Sequence, residues 1–149
     1  MTVGPVVIFM AVGRNVGLVD RVTRRMRTAR RIGRTDVLRM RFDDFTRATR
    51  SHTLPYPTAE TYTILATARG LMAAAAPLVR DRGLTLVGIA VANLQNDRPC
   101  QLLLPFELDR RGALDTALDT VRERFGPNAI TRGLLLGRDQ GLTVPLLPD

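Results

Sequence analysis

Residues 34–55 read RTDVLRMRFDDFTRATRSHTLP, and the alternation inside this stretch decides the fold. From Asp36 to Phe45, Leu38, Met40 and Phe42 fall on one side of an extended chain, with Arg39 and Arg41 on the other. Side chains alternate across a strand, so this is a half-buried strand with a basic outer face. A turn near Asp43 and Asp44 leads to Thr46 to Leu54, a polar strand dense in Arg, Ser and Thr, which Pro55 and Pro57 are expected to break. A hairpin of this kind needs apolar cover on one side and leaves the other open.

Upstream, Leu18, Val22, Met26 and Ala29 recur at helical spacing with Arg21, Arg24, Arg25 and Arg27 between them. This is an amphipathic helix with a basic outer face, and Gly33 is expected to end it. Downstream, Thr58 can cap a second helix with Glu60 in its first turn. Ile64, Leu65, Ala68, Leu71, Met72, Ala75, Leu78 and Val79 form its apolar stripe; Pro77 should kink or end it, and Gly83 is the stop. Leu84 to Leu94 reads as a further strand, with Val87, Ile89 and Val91 toward the core and the small Gly88, Ala90 and Ala92 on its other face. Residues 95–99 are turn-like.

The order helix, strand, strand, helix, strand predicts an α+β fold: a small, mostly antiparallel sheet of about four strands backed on one face by two helices. Near the start, Val6 to Val12 is apolar and rich in β-branched residues. It is far short of the ~20 residues that span a bilayer and lacks a basic flank in front, so it reads as a strand rather than a signal peptide. After Phe106, Leu114, Leu118 and Val121 predict one more helix in a C-terminal extension, followed by a short strand over Ala129 to Leu136. That extension either folds as a small subdomain with Leu118 packed on Phe125 or stays loosely ordered.

A chain of 149 residues with 45% apolar content makes one domain, or one domain and a tail. Cys100 is alone, which excludes an internal disulfide and a cysteine-rich zinc site. The net charge of +8 comes from 22 basic residues, all of them Arg. Codon bias in a GC-rich genome would also remove Lys, but the sign of the charge points to nucleic acid, an anionic membrane or an acidic partner. The open sheet face would carry Arg39, Arg41, Thr49, Ser51 and Thr53 beside the small residues of the last strand. Arg neutralises phosphate, and hydroxyls hydrogen-bond it. A plain solvated strand face is the competing reading.

The stretch Arg34 to Pro55, with Pro57 to Thr61, Gly83 to Leu94 and the helix Leu18 to Met26, resembles the little-finger domain of the Y-family DNA polymerases of the DNA polymerase IV, actinobacterial type. The resemblance runs from about Val16 to the C-terminus. It implies a sheet backed by two helices that grips template and primer backbones, with Arg47, Arg50, Ser51 and Thr53 near phosphates alongside Arg39, Arg41 and Thr49. It divides the chain into residues 1–15, unlike the family and a candidate edge strand; 16–95, the DNA-binding domain; 96–108, a linker; and 109–149, the extension. The family's basic linker strand is replaced by the apolar 1–15, which implies weaker DNA binding than a complete polymerase.

Gln101-Leu102-Leu103-Leu104-Pro105-Phe106 resembles the peptide that docks bacterial polymerases on the sliding clamp. Gln101 would hydrogen-bond at the groove rim, Leu104 and Phe106 would fill apolar pockets, and Leu102 would assist. A buried strand is the alternative. No palm, fingers or thumb sequence is present, so the resemblance implies a truncated, non-catalytic, cytoplasmic DNA-repair module with no cofactor, no metal and no membrane partner. Its partners are primer-template or damaged DNA and the clamp. A clamp-interaction protein with little DNA binding, or a nonfunctional polymerase fragment, are the alternatives. Asp43 and Asp44 are adjacent and, as strand neighbours, would point to opposite faces rather than chelate one ion. His52 reads as a phosphate neighbour or a plain surface residue.

Overall fold

A computed structural model describes residues 6–10, 15–97 and 110–133. Its elements run β1 (Val6–Met10), α1 (Asn15–Thr28), β2 (Arg31–Phe42), β3 (Arg47–Thr58), α2 (Thr61–Arg82), β4 (Leu84–Ala92), β5 (Gln95–Asn96) and α3 (Arg110–Phe125). The sheet is antiparallel in the order β1-β4-β2-β3, and the two-residue β5 pairs with the start of β2. The α+β architecture expected from the alternation is the one observed.

The core lies between the sheet and two helices. Leu18, Val19, Val22 and Met26 of α1 and Ile64, Leu65, Ala68 and Ala75 of α2 are buried with Leu38, Met40 and Phe42 of β2 and Val87, Ile89 and Val91 of β4. Helical spacing and strand alternation thus converge on one apolar layer. Thr23 and Thr61, both fully buried, join the helices through their hydroxyls at 2.8 Å. The α2 helix is long and apolar enough by composition to cross a bilayer, but its Ile64, Leu65, Ala68 and Ala75 pack on the sheet, and much of its apolarity is alanine.

Two boundaries differ from the sequence reading. Gly33 does not end α1. The helix stops at Thr28, Arg30 takes the left-handed turn at φ 51°, and Gly33 lies buried inside β2. A Cβ there would stand 2.3 Å from Val91 Cγ1, so Gly33 serves a close approach of strands rather than a helix cap. Pro55 and Pro57 do not end β3, which runs to Thr58. As the edge strand it has one side without a ladder to interrupt, and the register jumps from Thr35↔Thr53 to Gly33↔Thr58, bulging the prolines out. Of the two outcomes expected at Pro77, an end is not the one observed: α2 continues past it to Arg82 and closes on Gly83, the expected stop, at φ 67°.

The α3 helix docks by charge, not by an apolar seam. Arg122 pairs with Asp20 at 3.0 Å, Arg132 with Asp20 at 3.1 Å and Asp115 at 2.7 Å, and Arg27 with Asp119 at 2.6 Å. Asp115 also accepts the Thr61 backbone N–H at 2.8 Å, which ties α3 to the start of α2. Phe125 is exposed, so it does not pack on Leu118, and residues 129–133 form no strand. Residues 134–136 of the expected strand lie outside the described residues, as do Gln101, Leu102, Leu104 and Phe106.

Candidate nucleic-acid interface

The register decides which of the candidate residues share a face. Across β2 and β3, Arg41 faces Arg47, Arg39 faces Thr49, Val37 faces Ser51 and Thr35 faces Thr53. Residues directly opposite in an antiparallel pair point the same way. Leu38, Met40 and Phe42 point into the core, so Arg39, Arg41, Arg47, Thr49, Ser51 and Thr53 share the opposite face, away from the helices.

Arg50 stands opposite Leu38, and His52 opposite Asp36, so both lie on the helix side of β3. Both are nevertheless exposed. Six of the seven candidate DNA-binding residues are therefore brought together, and Arg50 is separated from them. A run of Arg, Ser and Thr carries no in/out alternation of its own, so its facing is set by the partner strand.

On β4 the same open face carries Leu86, Gly88, Ala90 and Ala92, opposite Arg41, Arg39, Val37 and Thr35. None of the open-face positions of β2, β3 and β4 is Asp or Glu. Arg39 and Arg41 are half-buried among their neighbours, while Arg47, Thr49, Ser51 and Thr53 are exposed. At the far end, Asn93 donates to the Thr35 hydroxyl at 2.7 Å, and the Thr35 and Thr53 hydroxyls lie 3.3 Å apart. The face thus grades from three guanidinium groups to a row of hydroxyls.

Among the described residues these arginines have no acidic partner. The Arg41 Nε is buried with no hydrogen-bond partner, and its guanidinium carbon lies 4.9 Å over the ring of Phe45. Like charges directly opposite on a sheet repel, so the Arg41–Arg47 pair is unfavourable until an anion lies between them.

The adjacent carboxylates sit in the β2–β3 turn and are engaged separately. Asp43 accepts from the Thr85 hydroxyl at 2.9 Å. Asp44 accepts from the Thr46 N–H at 3.0 Å and hydroxyl at 2.5 Å, which holds its carboxyl below the usual range. Among the described residues no group of three or more His, Cys, Asp or Glu is placed to hold a metal ion.

Sequence reasoning missed Phe45, which is 71% exposed in the turn and stacked by Arg41. The alternating stretch was read as running on to Phe45, whose parity is that of Arg39 and Arg41; a signal was present in the surrounding Asp43-Asp44 and Thr46, which favour a turn.

Comparison with known proteins adds sequence kinship to this geometry. Residues 16–104 match the impB/mucB/samB family C-terminal domain. The chain is 36% identical over 130 residues to the protein named DNA polymerase IV 2 of Mesorhizobium japonicum, covering 78% of this chain and 31% of that protein. It is 33% identical over 119 residues to the DNA polymerase IV of Pelotomaculum thermopropionicum, covering 80% of this chain and 29% of that one. The chain therefore spans about a third of the length of these relatives. A solved complex of beta-clamp processivity factor and little finger domain of PolIV aligns at 21% identity and a TM-score of 0.47, over 69% of this chain and 100% of that one.

Proposed function

The chain belongs to the impB/mucB/samB C-terminal domain family, and on that basis we propose that it is a non-catalytic DNA-gripping module of the translesion DNA polymerase IV type. Arg39, Arg41 and Arg47 neutralise backbone phosphates, and Thr49, Ser51 and Thr53 hydrogen-bond them and set register. The observation that carries this reading is the Arg41–Arg47 cross-strand pair, with Arg39 beside it, on a sheet face without a carboxylate. Such a face is self-repelling when empty and is completed by a polyanion.

The contacts go to phosphate and not to base edges, so binding should depend strongly on salt and little on sequence. This chain spans only about a third of the length of the relatives named as polymerases. Primer extension with magnesium and all four dNTPs is therefore expected to give no product from this chain alone, and template-directed extension by pure protein would overturn the proposal.

The deciding experiment is a salt titration on labelled primer-template DNA. Each phosphate contact adds ~0.9 to the slope of log affinity against log salt, so three arginines should contribute a slope of roughly 3. Affinity at physiological salt should be weaker than nanomolar, because β1 is apolar in sequence and adds no arginine to the face. A salt-independent affinity would contradict a phosphate grip.

Docking on a sliding clamp through Gln101, Leu102, Leu104 and Phe106 is proposed on the hexapeptide alone. Leu104→Ala with Phe106→Ala should abolish capture by immobilised clamp. A doubly substituted chain that still binds would refute that role for the hexapeptide. A DNA partner in a bacterial cell implies a cytoplasmic location.

A further inference from the structure

The turn between β2 and β3 carries a ring that a phosphate grip does not use. Phe45 is 71% exposed and adopts φ 64°, a conformation bulky residues avoid. The turn is closed around it. The Phe45 N–H donates to Phe42 O at 2.9 Å, the Phe42 N–H donates to Thr46 O at 3.0 Å, and Asp44 takes both the Thr46 N–H and its hydroxyl. These bonds define the backbone of the turn and leave the side chain outside the core.

The ring is placed at the basic face. Arg41 belongs to the open side of the sheet, and its guanidinium lies 4.9 Å over the Phe45 ring. One side of the ring is thus against a cation, and the ring's large exposure leaves the rest to solvent. Arg47, opposite Arg41 in register, sets a second guanidinium beside the first. The buried Arg41 Nε has no hydrogen-bond partner. The hairpin end therefore holds an aromatic surface flanked by two cations that have no carboxylate partner on that face among the described residues.

This combination matches the two halves of a nucleotide, a flat π-surface and an adjacent phosphate. Paired bases in a duplex offer only their edges, because their faces are stacked on one another. An unpaired nucleotide offers both parts at once. A phosphate alone would leave the ring idle, and an apolar peptide would leave the guanidinium groups unpaired.

We infer that Phe45, with Arg41 and Arg47, forms a stacking site for an unpaired nucleotide at the hairpin end of the basic sheet face. The site rests on the reading that this face grips DNA backbone, and it adds a preference for single-stranded segments or junctions over closed duplex.

The test compares the full chain with Phe45→Ala and Phe45→Trp on three labelled DNAs of equal charge: a single-stranded oligothymidine, a primer-template junction and a blunt duplex. Phe45→Ala should bind the single strand and the junction roughly 5- to 100-fold more weakly, with blunt-duplex affinity and salt slope unchanged. The chain has no tryptophan, so Phe45→Trp supplies a unique indole. It should restore affinity, and its fluorescence should be quenched by oligothymidine and not by blunt duplex. An equal loss on all three DNAs, no loss on any, or an unquenched indole in a DNA-bound complex would each overturn the stacking site. If Phe45→Ala is neutral while duplex binding keeps an arginine-dependent slope, only the stacking site fails. If the parent chain binds none of the three DNAs, the phosphate grip and the stacking site fail together.

Discussion

Asp36 and the open-face arginines behave oppositely toward charge. Asp36 is 1% exposed on the helix side of β2, between His52 and Val91 in register, and neither carboxylate oxygen has a hydrogen-bond partner. Burial pushes its pKa up from 3.8 to about 7; the nearby Thr67 hydroxyl opposes this only weakly, because it donates to Thr63 O at 3.1 Å and makes no hydrogen bond of proper geometry to the carboxylate. The fold therefore prefers the neutral acid. Between about pH 4 and 7 the folded chain binds a proton that the unfolded chain does not, so this group's contribution to stability falls as pH rises through that window and stays low above it. Asp36→Asn should be more stable than the parent at pH 8, by at most about 4 kcal/mol, with the gap closing toward pH 4. Urea unfolding at the two pH values checks this, and a less stable variant at pH 8 would show that the carboxylate has a stabilising partner. On the open face, Arg39→Ala and Arg47→Ala should each remove ~0.9 from the salt slope of DNA binding. Arg50→Ala should leave that slope unchanged, because the register sets Arg50 on the other side of β3.

At the scale of elements, close approach and charge do what apolar periodicity does not. Gly33→Ala should cost about 1–3 kcal/mol by overpacking, since its Cβ would meet Val91 across the β2–β4 pair. A thermal melt reports it, and an unchanged melting temperature would mean that Val91 can move aside. The α3 helix is held through Asp20, Asp115, Asp119, Arg27, Arg122 and Arg132. Removing one partner of a buried pair strands the others. Asp115→Ala leaves Arg27, Arg132 and the Thr61 N–H short of an acceptor and should cost about 3 kcal/mol. Hydrogen exchange should show α3 amides losing protection while those of β2 and β4 keep theirs; uniform loss would mean that α3 and the sheet unfold as one unit.

Across the whole molecule, the two helices occupy one side of the sheet and the arginines gather on the other. This division leaves one face free for a polyanion without disturbing the core. The hexapeptide from Gln101 follows β5 in the chain, which itself pairs with the start of β2. DNA gripping and clamp docking are proposed on separate groups, and separate groups contribute independently. Phe106→Ala should therefore leave the salt slope on DNA unchanged while clamp capture is lost; a matching loss of DNA binding would show that the two partners share a surface.

Most of the fold was legible along the chain. The alternation of Leu38, Met40 and Phe42 and of Val87, Ile89 and Val91, and the helical stripes of Leu18 to Met26 and Ile64 to Ala75, place most of the core, because apolar burial imprints its period on a local stretch; the spacing passed over the buried Val19 and included Ala29, which is exposed. The strand through Pro55 and Pro57 was not legible, because proline's cost depends on whether a neighbour strand needs its missing N–H. Nor was the role of Gly33, which Val91 decides from nearly sixty residues away in sequence. The chain by itself determined a basic, Arg-rich sheet domain with two covering helices. Tertiary structure alone decided the strand order, the separation of Arg50 from Arg47, the stacking of Arg41 on Phe45 and the charged seam under α3. Each of these depends on a partner distant in sequence, and no local period records where that partner will stand.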